Sequence, residues 1–306
     1  MLARVRAAAD PRATVEAYGS SVYAPAHASD VDILVVDDSP SRLATVLDLT
    51  LLPTTPPRLT GTLDGAQVDI TIADAGDTMR RAAPRDAARF VEQLGDRAEL
   101  FHAAWPEVRR FVRARALGGN GLGWFGSFGW AMLLAVPLVR GELATGDLPA
   151  WFRWLANVPL GTRLGFDGIE RAPATTIQIV APSSPFRDLA NLDKRHASVL
   201  LAEARAASFV DLLDDPPPGA TLAITFEDER GRGRYEGLAR GLLRDLEAFG
   251  ARSWGRFDRD ADDAWQHRIT VIARRASTAR ERIESWLATN HIDASVESSA
   301  VPNTRS

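Results

Sequence analysis

Apolar residues recur along this chain with two different periods, and the switches between them divide it into three regions. Near the N-terminus the period is two. A short helix leads into a strand at Thr14–Tyr18, a Gly-Ser turn follows, and an apolar strand at Val31–Val36 starts directly after Asp30. The runs Arg58–Leu63 and Gln67–Ile72 bracket Asp64-Gly65, a dipeptide suited to the backbone of a tight hairpin turn, so they predict an antiparallel pair. These strands make a small mixed sheet. From Asp86 to Arg205 the spacing becomes three and four, through Phe90, Leu94, Leu100, Val108 and Val112, which predicts a helical region. A Gly-rich bend at Gly118–Gly129 opens an apolar helix through Trp130, Leu133, Leu134 and Leu138, expected at the centre of that region. Three consecutive prolines in Asp214–Gly219 break any regular element and mark a boundary. Beyond it come strand Ala220–Glu227, helix Tyr235–Phe249, strand Arg252–Asp258, strand His267–Arg274, helix Thr278–Thr289 and strand Ile292–Glu297. That βαββαβ order is ferredoxin-like. The expected class is α+β, with domains at 1–85, 86–208 and 209–306 and a cleft between the first two.

Composition adds a few exclusions. At 306 residues the chain can bury more than one core, and 45% apolar with 25% charged residues is a globular balance. No apolar run approaches the length that spans a bilayer, so no membrane partner is expected. Cysteine is absent, which rules out a disulfide partner and thiolate zinc sites and suits a cytoplasmic protein. The net charge of −4 opposes avid nonspecific binding to nucleic acid. Arginines nevertheless gather at Arg109, Arg110, Arg113 and Arg115, and at Arg274, Arg275, Arg280 and Arg282, so two local basic faces are expected.

The chemistry lies in the first region. In Gly19–Val35, GSSVYAPAHASDVDILV, a Gly-Ser turn follows one strand and an Asp-x-Asp pair opens the next. Side chains two apart on a strand share a face, so Asp30 and Asp32 project together while Val31 and Ile33 enter the core. Asp69, opposite in sense to Val68 and Ile70, supplies a third carboxylate from the hairpin. An all-oxygen set of this kind suits Mg²⁺, with Mn²⁺ as a substitute, rather than zinc. Two such ions about 4 Å apart can clamp the attacking and leaving oxygens of phosphoryl transfer. Gly19 lets the backbone approach a triphosphate, and Ser20 offers a hydroxyl and an amide to its oxygens. Asp30 and Asp32 are expected to hold both ions, and Asp69 the ion that activates an acceptor hydroxyl.

These residues resemble the DNA polymerase β-like nucleotidyltransferase superfamily, and two later segments are similar to eukaryotic-type poly(A) polymerases. Those segments are NGLGWFGSFGWAMLLA, Asn120 to Ala135, and IVAPSSPFRDLANLDKRHASVLLAEARAA, Ile179 to Ala207. The resemblance implies a catalytic palm at 1–85, a central helical domain at 86–208 and an RNA-recognition-like domain at 209–306. It further implies template-independent transfer of a nucleoside monophosphate, AMP by family habit, from an NTP to an RNA 3′-hydroxyl. Metal would sit on Asp30, Asp32 and Asp69; nucleotide would meet Gly19, Ser20, Arg109, Arg113, Asn120 and Gly126. Gly118 stands where the family carries a Tyr that stacks on adenine, and Ser127 replaces one glycine of a Gly-Gly pair. Alternatives on the same sequence are a non-RNA acceptor, or a noncatalytic RNA-binding protein on this fold.

Other motifs carry less. Gly121, Gly123 and Gly126 fit a GxGxxG pattern but follow a basic helix instead of a strand, so the dinucleotide-binding context is missing. The five histidines show no metal-ligand spacing, and the tryptophans at 124, 130, 151 and 154 are expected in helix packing.

Overall fold

The computed structural model of the protein describes residues 1–52, 54–115, 117–118, 123–171, 176–207, 219–246, 252–259, 265–271 and 273–300. The first region contains α1 (Leu2–Ala8), β1 (Thr14–Tyr18), α2 (Ser20–Tyr23), β2 (Val31–Val36), α3 (Pro40–Leu47), β3 (Thr50–Leu52), β4 (Arg58–Leu63) and β5 (Ala66–Ala73). Its sheet has the order β1-β2-β5-β4-β3, antiparallel throughout except for the parallel pair β2/β5. Period-two alternation divides β2 and β5 between two faces. Ile33, Val35, Val68, Ile70 and Ile72 join Val5, Leu43 and Leu47 in a core closed by α1 and α3. Leu34, Val36 and Ala73 lie on the opposite face, the face that also carries Asp32 and Asp69.

The second region begins with α4 (Thr78–Leu94), capped by Asp77, whose carboxylate accepts from the Arg80 amide at 3.0 Å. It continues through α5 (Ala98–Ala114), α6 (Ser127–Val139) and α7 (Leu148–Ala156). Helix α6 is buried from Gly129 to Leu138, as its all-round apolar sequence demands. The helical reading fails after α7. Residues 162–192 form β6 (Thr162–Gly165), β7 (Gly168–Arg171), β8 (Ile177–Ala181) and β9 (Ser184–Leu192), a sheet of order β7-β6-β8-β9. Ile177 and Ile179 are fully buried on one side of β8 with Gln178 between them, a period-two signal inside a stretch whose flanks have helical spacing. Helix α8 (Lys194–Ala207) then packs back on α7, and Arg115 at the end of α5 is buried against Glu203 of α8, Nε to Oε2 at 2.6 Å.

The third region contains β10 (Ala220–Phe226), α9 (Glu229–Asp245), β11 (Arg252–Arg259), β12 (Trp265–Val271), α10 (Ala276–Thr289) and β13 (Ala294–Ala300). Its antiparallel sheet, β11-β12-β10-β13, has the ferredoxin-like order expected from the sequence. Buried residues of this region, including Leu222, Ile224, Tyr235 and Ile283, are continuous with the apolar cluster around α6. Of the proline-rich stretch at Asp214–Gly219, all but Gly219 lies outside the described residues. Among the described residues, no helix is long and apolar enough to cross a membrane.

Candidate active site

Two strand positions and the residue just before β2 converge on the face turned away from the α1/α3 core. Asp32 and Asp69 are direct partners across the parallel β2/β5 pair, and Asp30 sits just before β2. One carboxylate oxygen from each of Asp30, Asp32 and Asp69 lies within 4.8 Å of the other two. Trans oxygens on an octahedral Mg²⁺ are about 4.2 Å apart, so the span closes on an ion with small side-chain rotations. Donor chemistry fits as well: three hard anionic oxygens, with no sulfur or imidazole in the set.

Gly19 makes this convergence possible. Its φ of 69° lies in the left-handed region, and a Cβ added there would stand 2.0 Å from Asp32 Oδ2. The Gly-Ser turn therefore lies directly against the carboxylates, with Ser20 opening α2. Burial raises the Asp32 carboxyl to about 6, and the neighbouring Asp30 charge adds to the rise while Arg58 opposes it. A carboxylate held partly out of water beside a second negative charge gains from a nearby cation.

Contacts from α5 and α6 hold the segment between Ser20 and Asp30. Tyr23, at the end of α2, is buried among Phe90, Phe101, Trp105 and Phe128 of the helical region, with ring centroids 5.2 to 6.5 Å away. Its hydroxyl hydrogen-bonds Ser127 Oγ at 3.2 Å, and burial pushes that hydroxyl up to about 12. His102 Nε2 donates to the Tyr23 carbonyl at 2.9 Å, and the Arg109 guanidinium donates to the His27 carbonyl.

The site residues expected from sequence fall into three groups. Gly19, Ser20, Asp30, Asp32 and Asp69 come together. Gly126 is the N-cap of α6, joined to the site through its neighbour Ser127 and Tyr23. Arg109 is spent on the His27 carbonyl, Arg113 is exposed one turn further along α5, and Asn120 lies outside the described residues. The expected basic face of α5 is also divided: Arg115 is buried on Glu203, and Arg110 pairs with Glu107 at 2.9 Å. In the second cluster Arg280 pairs with Glu284 and Arg282 with Asp245. Gly118 is half-buried, and Val112 Cγ1 would lie 3.3 Å from an added Cβ, so this position presents no ring.

Sequence reasoning missed Arg58, Tyr18 and Tyr23. Arg58 on β4 places Nε 2.9 Å from Asp69 Oδ1. Tyr18 pairs with Asp32 in β1/β2, and its hydroxyl meets Thr71 Oγ1 at 3.0 Å. The Asp64-Gly65 hairpin alone determines that Thr60 faces Asp69, which leaves Arg58 one side chain further along the same face.

No protein-family model matches the chain, and no curated protein matches it. Solved structures do. Cid1 poly(U) polymerase bound to MgGTP superposes with a TM-score of 0.52 at 15% identity, covering 70% of this chain and 90% of that one. Terminal uridylyl transferase 4 from Trypanosoma brucei with bound UPU gives 0.50 at 14%, covering 69% and 90%. This chain has a nucleotidyltransferase fold. CdnC of E. coli MS115-1, in its complex with HORMA-deltaN, gives 0.50 at 18% and covers 65% of this chain and 75% of that one. The likeness is one of fold, shared with a poly(U) polymerase, a terminal uridylyl transferase and CdnC and so wider than the poly(A) polymerases that the sequence segments resemble.

Proposed function

We propose that the protein is a metal-dependent, template-independent nucleotidyltransferase that moves a nucleoside monophosphate from an NTP to an RNA 3′-hydroxyl. The observation that carries this reading is the convergence of Asp30, Asp32 and Asp69 beside the Gly19-Ser20 turn on a nucleotidyltransferase fold. Divalent ions, when bound, supply positive charge to the attacking and leaving oxygens of an in-line displacement. Asp30 and Asp32 would hold the ions beside the turn that receives the triphosphate, and Asp69 would contribute on the acceptor side. The turn's open backbone accepts the β- and γ-phosphates, which Cβ atoms would crowd. The acceptor hydroxyl gives its proton to Asp69 as its oxygen bonds to the α-phosphorus, the bond from that phosphorus to the bridging oxygen breaks, and pyrophosphate leaves.

For the donor, the poly(A) polymerase resemblance favours ATP, and structural neighbours include a poly(U) polymerase and a uridylyl transferase. Gly118 removes the stacking ring that the resemblance would place on adenine, so discrimination among bases is weak. The domain limits follow the same resemblance: palm to about residue 85, central domain to about 208, then the ferredoxin-like domain. Purified protein incubated with Mg²⁺, a short labelled RNA and each NTP in turn tests the proposal. Extension with at least one nucleotide is expected, with ATP ahead of the others only by a small margin. Absence of extension with all four, alongside nucleotide transfer to a small molecule or protein, would reassign the acceptor.

A further inference from the structure

Arg58 occupies an unusual place for a cation. It lies on the solvent side of Asp69, with side chains 45% and 10% exposed, and its guanidinium engages both oxygens of that carboxylate: Nε donates to Oδ1 at 2.9 Å and NH2 meets Oδ2. A guanidinium fork on two carboxylate oxygens is the strong geometry for this kind of pair. An exposed ion pair of this type ordinarily contributes little. Here, however, the acidic partner is buried and is one of three carboxylates gathered within 4.8 Å. The arginine and a divalent ion thus seek the same oxygens, and their like charges repel at this distance.

We propose that Arg58 sets the affinity of the Asp69 ion position: its guanidinium competes with the divalent ion for the Asp69 carboxylate, so that the position fills strongly only when the negative charge of a nucleotide triphosphate arrives with the ion. This rests on the reading of the aspartates as an ion site. Arg58 is a positioning residue, acting through Asp69 rather than on substrate. A lysine would keep the charge but not the two-pronged geometry.

The test is Mn²⁺ binding to the full chain, followed by electron paramagnetic resonance of free Mn²⁺, with and without a non-hydrolysable NTP analogue. Wild type, Arg58→Gln, Arg58→Lys, Asp69→Asn and the Arg58→Gln/Asp69→Asn double variant are compared, with circular dichroism confirming that each folds. Without nucleotide, Arg58→Gln should bind Mn²⁺ at least tenfold tighter than wild type. Arg58→Lys should gain less, the double variant should lose the gain, and nucleotide should narrow the difference. Equal or weaker binding by folded Arg58→Gln, or a gain that survives Asp69→Asn, overturns the proposal while leaving the ion site standing. If wild type binds no Mn²⁺ even with nucleotide, the ion-site reading fails and this proposal falls with it.

Discussion

Gly19 shows how little room a single residue leaves around the carboxylates. Its φ of 69° with ψ of −160° lies in a region essentially reserved for glycine and would cost an alanine about 1–3 kcal/mol, and the added Cβ would also collide with Asp32 Oδ2. Gly19→Ala should therefore displace the Asp32 carboxylate, reducing nucleotide incorporation by two orders of magnitude or more with only a modest fall in melting temperature. Single-turnover incorporation and a thermal melt check this; wild-type incorporation would contradict it. The acidic trio was legible in part: alternation sets Asp30 and Asp32 on one face and turns Asp69 away from Val68 and Ile70, while the β2/β5 pairing that brings Asp32 beside Asp69 is implied by the resemblance and not by alternation. Arg58 was not read, although the same hairpin register puts it on the Asp69 face, one side chain beyond Thr60, because cations on exposed strands are ordinarily solvated. Arg109 misled for the opposite reason: helix spacing gives its position along α5 but not its partner, a backbone carbonyl contributed by a distant loop.

At the scale of elements, the sheet and the helices are joined by the buried Tyr23 ring and by hydrogen bonds from His102, Arg109 and Ser127. Removing the hydroxyl in Tyr23→Phe costs one hydrogen bond, about 1 kcal/mol, and should raise the KM for nucleotide several-fold while kcat changes less. Steady-state kinetics with saturating RNA separates the two, and an unchanged KM would show that the Tyr23–Ser127 link does not set the turn. A second joint, Arg115 to Glu203, ties α5 to α8 out of water. Glu203→Ala removes this buried carboxylate and should destabilise the protein by about 3–5 kcal/mol, measured by denaturant unfolding. Strands β6, β7 and β8 escaped the sequence reading because they have only 4, 4 and 5 residues and the apolar flanks repeat at helical intervals. Alternation at Ile177 and Ile179 was the available signal. By contrast, the C-terminal strand and helix order was legible, since each element there runs for at least 7 residues.

For the whole molecule, acid sensitivity should come from the ferredoxin-like region. His267 is fully buried, its Nδ1 2.7 Å from the Tyr235 hydroxyl, and burial lowers it from 6.5 to about 3. The folded protein keeps this ring neutral where the unfolded chain would protonate it, so stability from this source is complete above pH 6.5 and is lost as pH falls toward 3. Urea midpoints at pH 7.5, 6 and 5 should decline, and His267→Gln should flatten the decline; an equal slope in the variant would place the sensitivity elsewhere. The central claim, that three carboxylates form an ion site for nucleotidyl transfer, is tested most directly by anomalous diffraction from a crystal grown with Mn²⁺ and a non-hydrolysable NTP analogue. Anomalous peaks coordinated by Asp30, Asp32 and Asp69, with the triphosphate against Gly19 and Ser20, are the expected result. Mn²⁺ peaks elsewhere with none at these aspartates would contradict it.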